Sequence, residues 1–513
     1  MNFGIFTFNY SIVSFVSRII GYIRDIFLAS FLGTTIYSDI YAICCRLPFY
    51  FRTIIFEGNF NAAFIPTYTS INDDIKKKSF FTSLLIFFLI FFFLLFVIVE
   101  IYMPSIISII APGFNDSEQF ELAVKVARIT FPYLLFLVVI SFLIALLNSH
   151  FLFFAAASTH IVLSLVIIFF LFISSKFYQL PIIMVSWGFL ASGILQVFFL
   201  YLSIRSKIKK VIIFESFEFQ KVFQFFDLLW PGIIIYGFTH FNKYVGYYFA
   251  SYETGFLSYI YFAERIYFIP ITIIATTISI ILLPFIAKYF KEEKFEEVIY
   301  FQRLSFKYCA IFIIPSTFGV IFLSTDIINV LFERGDFNSL STKNTSDVLK
   351  ILTLSMPAYS LMLIMLPYFF VASKLRGIFY SSAVCFVTNL ILIIYLQRIY
   401  GFMSIPISFS ITAWIFVISM FFLMKKYNFN FIDRNILKII FKFVIFSIIM
   451  IIFLYISDDL IIIFLKNKTM LLIINILVST IIFISLFYFF ERKTFTELIL
   501  FYKSRKNKNV EHK

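Results

Sequence analysis

Fourteen apolar runs, each about the length of a bilayer-crossing helix, leave this chain little room for anything but membrane spans. Roughly 20 apolar residues cover the hydrocarbon at about 1.5 Å of rise per residue. The runs lie near 4–31, 37–65, 80–103, 122–147, 153–174, 181–204, 226–250, 257–286, 304–332, 348–372, 377–397, 402–424, 438–464 and 469–490. Of the 513 residues, 61% are hydrophobic and 14% charged. Soluble domains sit near about 45–50% and 25%, so a soluble globular chain is excluded. The 78 phenylalanines read as lipid-facing filler beside isoleucine. The fold class expected is all-α and polytopic, with about 14 transmembrane helices.

Lysine and arginine decide the orientation. The loops after even-numbered spans hold Lys76, Lys77 and Lys78, then Arg205, Lys207, Lys209, Lys210 and Lys221, and later Lys288, Lys291, Lys294, Arg303, Lys374, Arg376, Lys425, Lys426 and Arg434. The opposite loops hold only Lys176, Arg334, Lys343, Arg398, Lys466 and Lys468. Both termini are therefore expected in the cytoplasm. The same pattern accounts for the net charge of +14 without any nucleic-acid partner. The four cysteines show no metal spacing and no disulfide framework. The N-terminus carries no basic n-region and no small-residue cleavage site, so the first span is expected to be retained.

A weak internal repeat divides the chain. Phe64-Ile-Pro66 is echoed by Leu282-Leu-Pro284, Phe131-Pro132-Tyr133 by Met356-Pro357-Ala358-Tyr359, and Ala111-Pro-Gly-Phe114 by Arg334-Gly-Asp-Phe337. The offset of about 220 residues suggests the parallel repeats that transporters use, with a substrate path between halves. The expected organisation is an N-terminal lobe over 1–205, a basic cytoplasmic linker over 206–225 and a C-terminal lobe over 226–425. A helix pair over 426–491 and a basic cytoplasmic tail over 492–513 follow.

Charges inside the spans need a reason. An Arg, Lys or Asp at a helix centre costs about 2.5–3.5 kcal/mol, and an apolar neighbour returns only about 0.3–0.6. The first span carries Arg18, Arg24 and Asp25, and the second carries Asp39, Arg46, Arg52 and Glu57, with Pro48 breaking its hydrogen-bond ladder. One reading is mutual neutralisation in buried pairs that fix packing. The other is a net-positive cavity for an anionic guest, since four arginines exceed three acids and a guanidinium fork matches phosphate oxygens. Glu264 beside Arg265 is either self-contained at a helix end or a further cationic element from the other lobe. Lys243 is a looser candidate, and Lys125 and Arg128 can snorkel to the interface. Gly21 and Gly33 flank the charged segment and are candidate hinges.

Enzyme chemistry finds no footing. His150, His160, His240 and His512 form no metal or nucleophile motif, and no Walker loop or GxSxG occurs. No catalytic residue, cofactor or metal is expected. Energy has to come from the substrate gradient, a monovalent ion or the membrane potential.

The segment Ser17-Arg-Ile-Ile-Gly-Tyr-Ile-Arg-Asp25, with Asp39, Arg46-Leu-Pro48, Arg52 and Glu57-Gly-Asn-Phe-Asn-Ala-Ala-Phe-Ile-Pro66, resembles the MurJ (MviN) lipid II flippases. So do Ala111-Pro-Gly-Phe114, Thr130-Phe-Pro-Tyr133, Tyr261-Phe-Ala-Glu-Arg265 and Ile281-Leu-Leu-Pro284. The resemblance implies the multidrug/oligosaccharidyl-lipid/polysaccharide exporter fold, with two six-helix lobes around a central cavity plus two C-terminal helices. It implies transfer of undecaprenyl-pyrophosphate-linked disaccharide-pentapeptide from the cytoplasmic to the periplasmic leaflet of the bacterial inner membrane, for peptidoglycan synthesis. The family's essential cavity arginines map onto Arg18, Arg24, Arg52 and Arg265, its essential aspartate onto Asp39, and its lipid-tail groove onto the last two helices. Two departures stand out: Phe268 replaces a common acidic residue, and Ser373-Lys-Leu-Arg-Gly377 replaces an Asp-Thr-x-Thr-Pro stretch. Competing readings are an exporter of another polyprenyl-pyrophosphate-linked sugar or of drugs, a membrane-embedded transferase, and a scaffold for wall-synthesis enzymes.

Overall fold

The computed structural model describes residues 3–56, 59–114, 116–150, 152–176, 180–205, 219–427, 429, 431, 433–464, 467–492, 494 and 496. The expected linker over 206–225 lies outside the described residues up to 218, as does most of the expected tail. The chain forms two compact units, Met1–Tyr261 with Arg334–Asn338, and Phe262–Glu333 with Ser339–Lys513. The division thus falls past the linker where the sequence sets the lobe boundary.

The first unit contains α1 (Phe3–Leu32), α2 (Ile36–Ile40), α3 (Leu47–Ile55), α4 (Asn59–Thr69), α5 (Asp74–Ile101), α6 (Met103–Ile110), α7 (Ser117–Thr130), α8 (Tyr133–Ser149), α9 (Phe153–Lys176), α10 (Pro181–Arg205) and α11 (Phe219–Ala250). It also holds the start of α12 (Phe256–Pro270). The second unit contains the rest of α12, then α13 (Thr276–Lys291), α14 (Phe295–Phe332), α15 (Ser339–Thr353), α16 (Met356–Val371), α17 (Leu375–Tyr400), α18 (Ser404–Lys426), α19 (Arg434–Phe464) and α20 (Lys468–Phe490).

Among the described residues every expected run is helical, but four are not single rods. The run at 37–65 becomes α2, a wide turn at Tyr41–Cys45, α3 and α4. The run at 122–147 breaks between α7 and α8, 257–286 carries a wide turn at Ile271–Ala275, and 348–372 bends by 45° between α15 and α16. Proline explains much of this, because it removes one N–H and orphans the carbonyl four residues earlier. In hydrocarbon such a carbonyl needs another donor. Pro48 orphans the Cys44 carbonyl, which the Arg46 N–H approaches, with the Thr130 hydroxyl 3.2 Å away and nearer the Val126 carbonyl at 2.9 Å. Pro367 orphans the Leu363 carbonyl, which accepts from Ser279 Oγ at 2.7 Å, and Gln302 Nε2 donates to the next carbonyl, Ile364, at 2.9 Å.

Phenylalanine is more than filler, which corrects the sequence reading. In the first unit Phe60 of α4 is fully buried, with ring centroids 5.7 Å from Phe64, 4.7 Å from Phe142 of α8 and 5.3 Å from Phe225 of α11. Apolar lipid supplies no hydrophobic drive between spans, so close ring packing of this kind holds them together. In the second unit Phe443, Phe446 and Met450 of α19 and Phe483 and Phe487 of α20 pack on Ala310, Ile311 and Ile314 of α14. The last two helices are therefore fastened to α14.

Candidate functional site

The charged side chains of the first unit sort into three groups. On α1, Asp25 is almost fully enclosed at 2% exposure and Arg24 nearly so at 12%. Neighbours in sequence point about 100° apart on a helix, yet the long guanidinium reaches back. Arg24 Nε and Nη2 donate to Asp25 Oδ1 at 3.1 and 2.8 Å. Tyr261 Oη donates to the same oxygen at 2.9 Å. The Tyr261 ring also carries the Arg46 guanidinium, 5.3 Å from its centroid, and packs edge-on to Tyr41 at 5.4 Å. Tyr261 thus joins Arg24, Asp25 and Arg46 into one cluster, tying α1 and the α3 entry to the first turns of α12.

The second group is Arg52 and His160. Arg52 Nη2 lies 3.4 Å from His160 Nε2, which brings α3 beside α9. The sequence reading set His160 aside for lack of a catalytic motif. The signal that it belongs to the site was the small, polar run Ala-Ala-Ala-Ser-Thr-His inside an apolar span. Arg18 stands apart on α1, exposed, and among the described residues it holds no ion pair.

Asp39 is the third case, and of the two readings left open for it the burial one describes its surroundings. It is buried at 1% exposure, not open to a cavity. Its Oδ2 accepts from the Gly255 N–H at 2.5 Å, and its Oδ1 accepts from the Ser258 N–H at 2.8 Å and from Ser258 Oγ at 2.5 Å. Those N–H groups are the unfilled donors at the start of α12, where the helix dipole also favours a negative charge. Asp39 is a cap supplied from a distant segment.

Loops of the first unit close tightly around this cap. Gly33 ends α1 with φ +56°, and Gly335 turns with φ +59°. A Cβ on Gly33 would collide with the Asp336 backbone, and one on Gly335 with that of Ser30. The Asp336 N–H donates to the Ser30 carbonyl at 3.0 Å, and the Gly113 N–H donates to Ser251 Oγ at 3.0 Å. Gly33 therefore serves a strained, crowded turn. Gly21 lies inside the uninterrupted α1, with open space where a Cβ would sit. The two repeated loops, 111–114 and 334–337, both belong to this unit.

Arg265 is half-buried in the second unit beside Glu264. Glu57 lies outside the described residues, and so does the side chain of Lys243. The second unit also holds an apolar groove of about 760 Å³, walled by Ile266 and Pro270 of α12, Pro315 and Gly319 of α14, and Ile476 and Phe483 of α20.

Residues 3–55 thus carry four arginines against two aspartates, and one of those aspartates, Asp39, is engaged by backbone and hydroxyl donors. Such an arrangement can bind a multiply charged anion through charge-assisted hydrogen bonds.

Comparison with known proteins gives the same direction. The sequence model of the family described as "Lipid II flippase MurJ" matches residues 28–488. A probable lipid II flippase MurJ from Rickettsia prowazekii (strain Madrid E) is 32% identical over 410 residues, covering 78% of this chain and 80% of the relative. One from Rhizobium tropici is 30% identical over 414 residues, covering 79% and 78%. A solved structure of lipid II flippase MurJ in an inward closed conformation superposes with TM-score 0.81 at 28% identity, over 94% of this chain and 99% of that one. An inward-facing MATE family multidrug transporter of the MOP superfamily shares the fold at TM-score 0.64 and 14% identity, over 80% of this chain and 94% of that one.

Proposed function

This chain belongs to the MurJ family of lipid II flippases, and from that premise we propose that its first-unit arginines receive the diphosphate of lipid II. The protein flips lipid II, the lipid-linked precursor of peptidoglycan, and so serves cell wall synthesis. The direction is from the cytoplasmic to the periplasmic leaflet of a bacterial inner membrane, by alternating access, with both termini in the cytoplasm. The Lys/Arg bias of the loops supports that orientation.

The observation that carries the site assignment is the engagement of Asp39 by the start of α12. With that carboxylate committed, Asp25 is the other carboxylate that residues 3–55 set among Arg18, Arg24, Arg46 and Arg52. A diphosphate brings several acceptor oxygens and removes the excess of positive charge. Arg18 and Arg52 are its direct ligands, and His160 adjoins Arg52. Arg24 and Arg46, held by Asp25 and Tyr261, shape the site from behind. Asp39 positions α12 and does not touch substrate. For Arg265, in the second unit, a role toward substrate rests on the family resemblance alone. The apolar groove beside α14 and α20 suits part of the polyprenyl tail, which would remain in a lipid-like environment while the polar head crosses. A monovalent ion is a candidate coupling partner.

Purified protein in vesicles loaded with fluorescent lipid II provides the test. Arg18→Ala and Arg52→Ala should each slow flipping about tenfold or more, the loss expected when a charge-assisted hydrogen bond disappears. Arg52→Lys should recover only part of the rate, because a point charge cannot form the fork. Wild-type rates in both alanine variants would defeat the assignment. Drug export, the reading suggested by the transporter fold, calls for a cavity that welcomes cations, and the first unit's charge runs the other way.

A further inference from the structure

A second groove, of about 690 Å³, lies on the first unit between α6, α7 and α10. Its polar wall is one stripe of α7, where Glu121, Lys125 and Arg128 recur at helical spacing and are exposed. The opposite face of the same helix, with Ala123, Val126 and Ala127, is buried. Its apolar wall is made of Pro132, Trp187 and Leu190. Trp187 is 48% exposed and lies about 9 Å along α10 from its first residue, the depth at which interfacial tryptophans sit.

The charges of this groove are incompletely satisfied. Arg128 Nε stands 3.9 Å from Glu100 Oε2, too far for a hydrogen bond, and the side chain is 51% exposed. Among the described residues, Glu121 and Lys125 hold no ion pair despite being one helical turn apart. Glu100 Oε1 is enclosed and accepts no hydrogen bond. The groove therefore offers two cations and, next to them, carboxylate oxygens in want of a donor. A purely anionic guest would be repelled by the acids, and an apolar one would leave every charge unmet. A head group carrying both a phosphodiester and a primary ammonium meets both needs.

We propose that this groove is a binding site for phosphatidylethanolamine. The phosphodiester lies on Arg128 and Lys125, the ammonium on Glu121, and the glycerol and upper acyl chain against Trp187, Pro132 and Leu190. Its volume suits a head group with the first part of its chains. With the orientation given under Proposed function the groove faces the periplasmic leaflet; the binding itself does not depend on that orientation.

Native mass spectrometry of the full chain in a neutral sugar detergent tests this. The protein is titrated with phosphatidylethanolamine, phosphatidylcholine or phosphatidylglycerol of identical acyl chains. Phosphatidylethanolamine should bind about tenfold more tightly than phosphatidylcholine, whose quaternary nitrogen has no N–H to donate. Glu121→Gln should erase that preference while phosphate-dependent binding survives. Arg128→Ala should weaken both lipids. Leu190→Trp should evict the lipid by filling the apolar wall with every charge intact, and it decides the matter if Arg128→Ala does not fold. Equal binding of the two zwitterionic lipids, tighter binding of phosphatidylglycerol, or retention unchanged in Leu190→Trp overturns the proposal. Flipping assays report separately on the arginine cluster, so the two assignments can fail independently.

Discussion

Asp25 and Asp39 are both enclosed, yet their charges meet different partners. Asp25 meets Arg24 and Tyr261, an ion pair with a hydroxyl. Asp39 meets two N–H groups and a hydroxyl at the start of α12. The difference predicts different mutant behaviour. Asp39→Ala should destabilise the protein by about 2 kcal/mol, the sum of a lost cap and buried donors left unsatisfied. Thermal unfolding in detergent measures it, and Asp39→Asn should lie between the two. An unchanged midpoint combined with lost flipping would instead make Asp39 a substrate contact. The charges themselves were legible in the sequence, because ionisable residues are so costly in an apolar run. Their partners were not. Gly255, Ser258 and Tyr261 lie more than two hundred residues from Asp39 and Asp25, and no local pattern announces such a pairing.

At the scale of helices, proline marked one break in advance, at Pro48, but not how a proline's orphaned carbonyl would be satisfied. For the carbonyl that Pro367 orphans within α16 the donor comes from another segment, Ser279 of α13. A double-mutant cycle on this pair reads the repair directly. Ser279→Ala alone should cost about 1 kcal/mol, since membrane hydrogen bonds average near about 0.6 with a maximum of about 1.7. In a Pro367→Ala background the regained N–H satisfies Leu363 from within α16, and Ser279→Ala should then cost almost nothing. Equal costs in both backgrounds would show that the serine does not serve that carbonyl. The phenylalanine packing was equally hidden, because composition cannot tell a ring facing lipid from one wedged between α4, α8 and α11.

For the molecule as a whole, orientation is the statement most open to direct measurement. The four native cysteines, Cys44, Cys45, Cys309 and Cys385, are all buried, so an added surface thiol can be read against a quiet background. Ser339→Cys should react with an impermeant maleimide applied to intact cells lacking an outer barrier, and Asn72→Cys should react only after the membrane is opened. Both positions are exposed. The reverse pattern would invert the topology and move the periplasmic assignments above to the other leaflet. The hydropathy pattern carried the all-helical, many-span character of the fold. The composition of the two units was beyond it, because the short segment Arg334–Asn338 joins the first unit through backbone contacts at Ser30 that hydropathy does not register.

That short segment has a consequence for biogenesis. A ribosome delivers the chain from its N-terminus at about 5–20 residues per second, and residues 334–338 trail Tyr261 by roughly 75 positions. Ser30 and Gly33, roughly 300 positions ahead of that segment, therefore wait about 15–60 s for their last neighbours, the final part of it while α13 and α14 are threaded into the bilayer. The early half of this protein is translated first but finished late, and in the interval its open loops are the vulnerable surface for quality-control proteases.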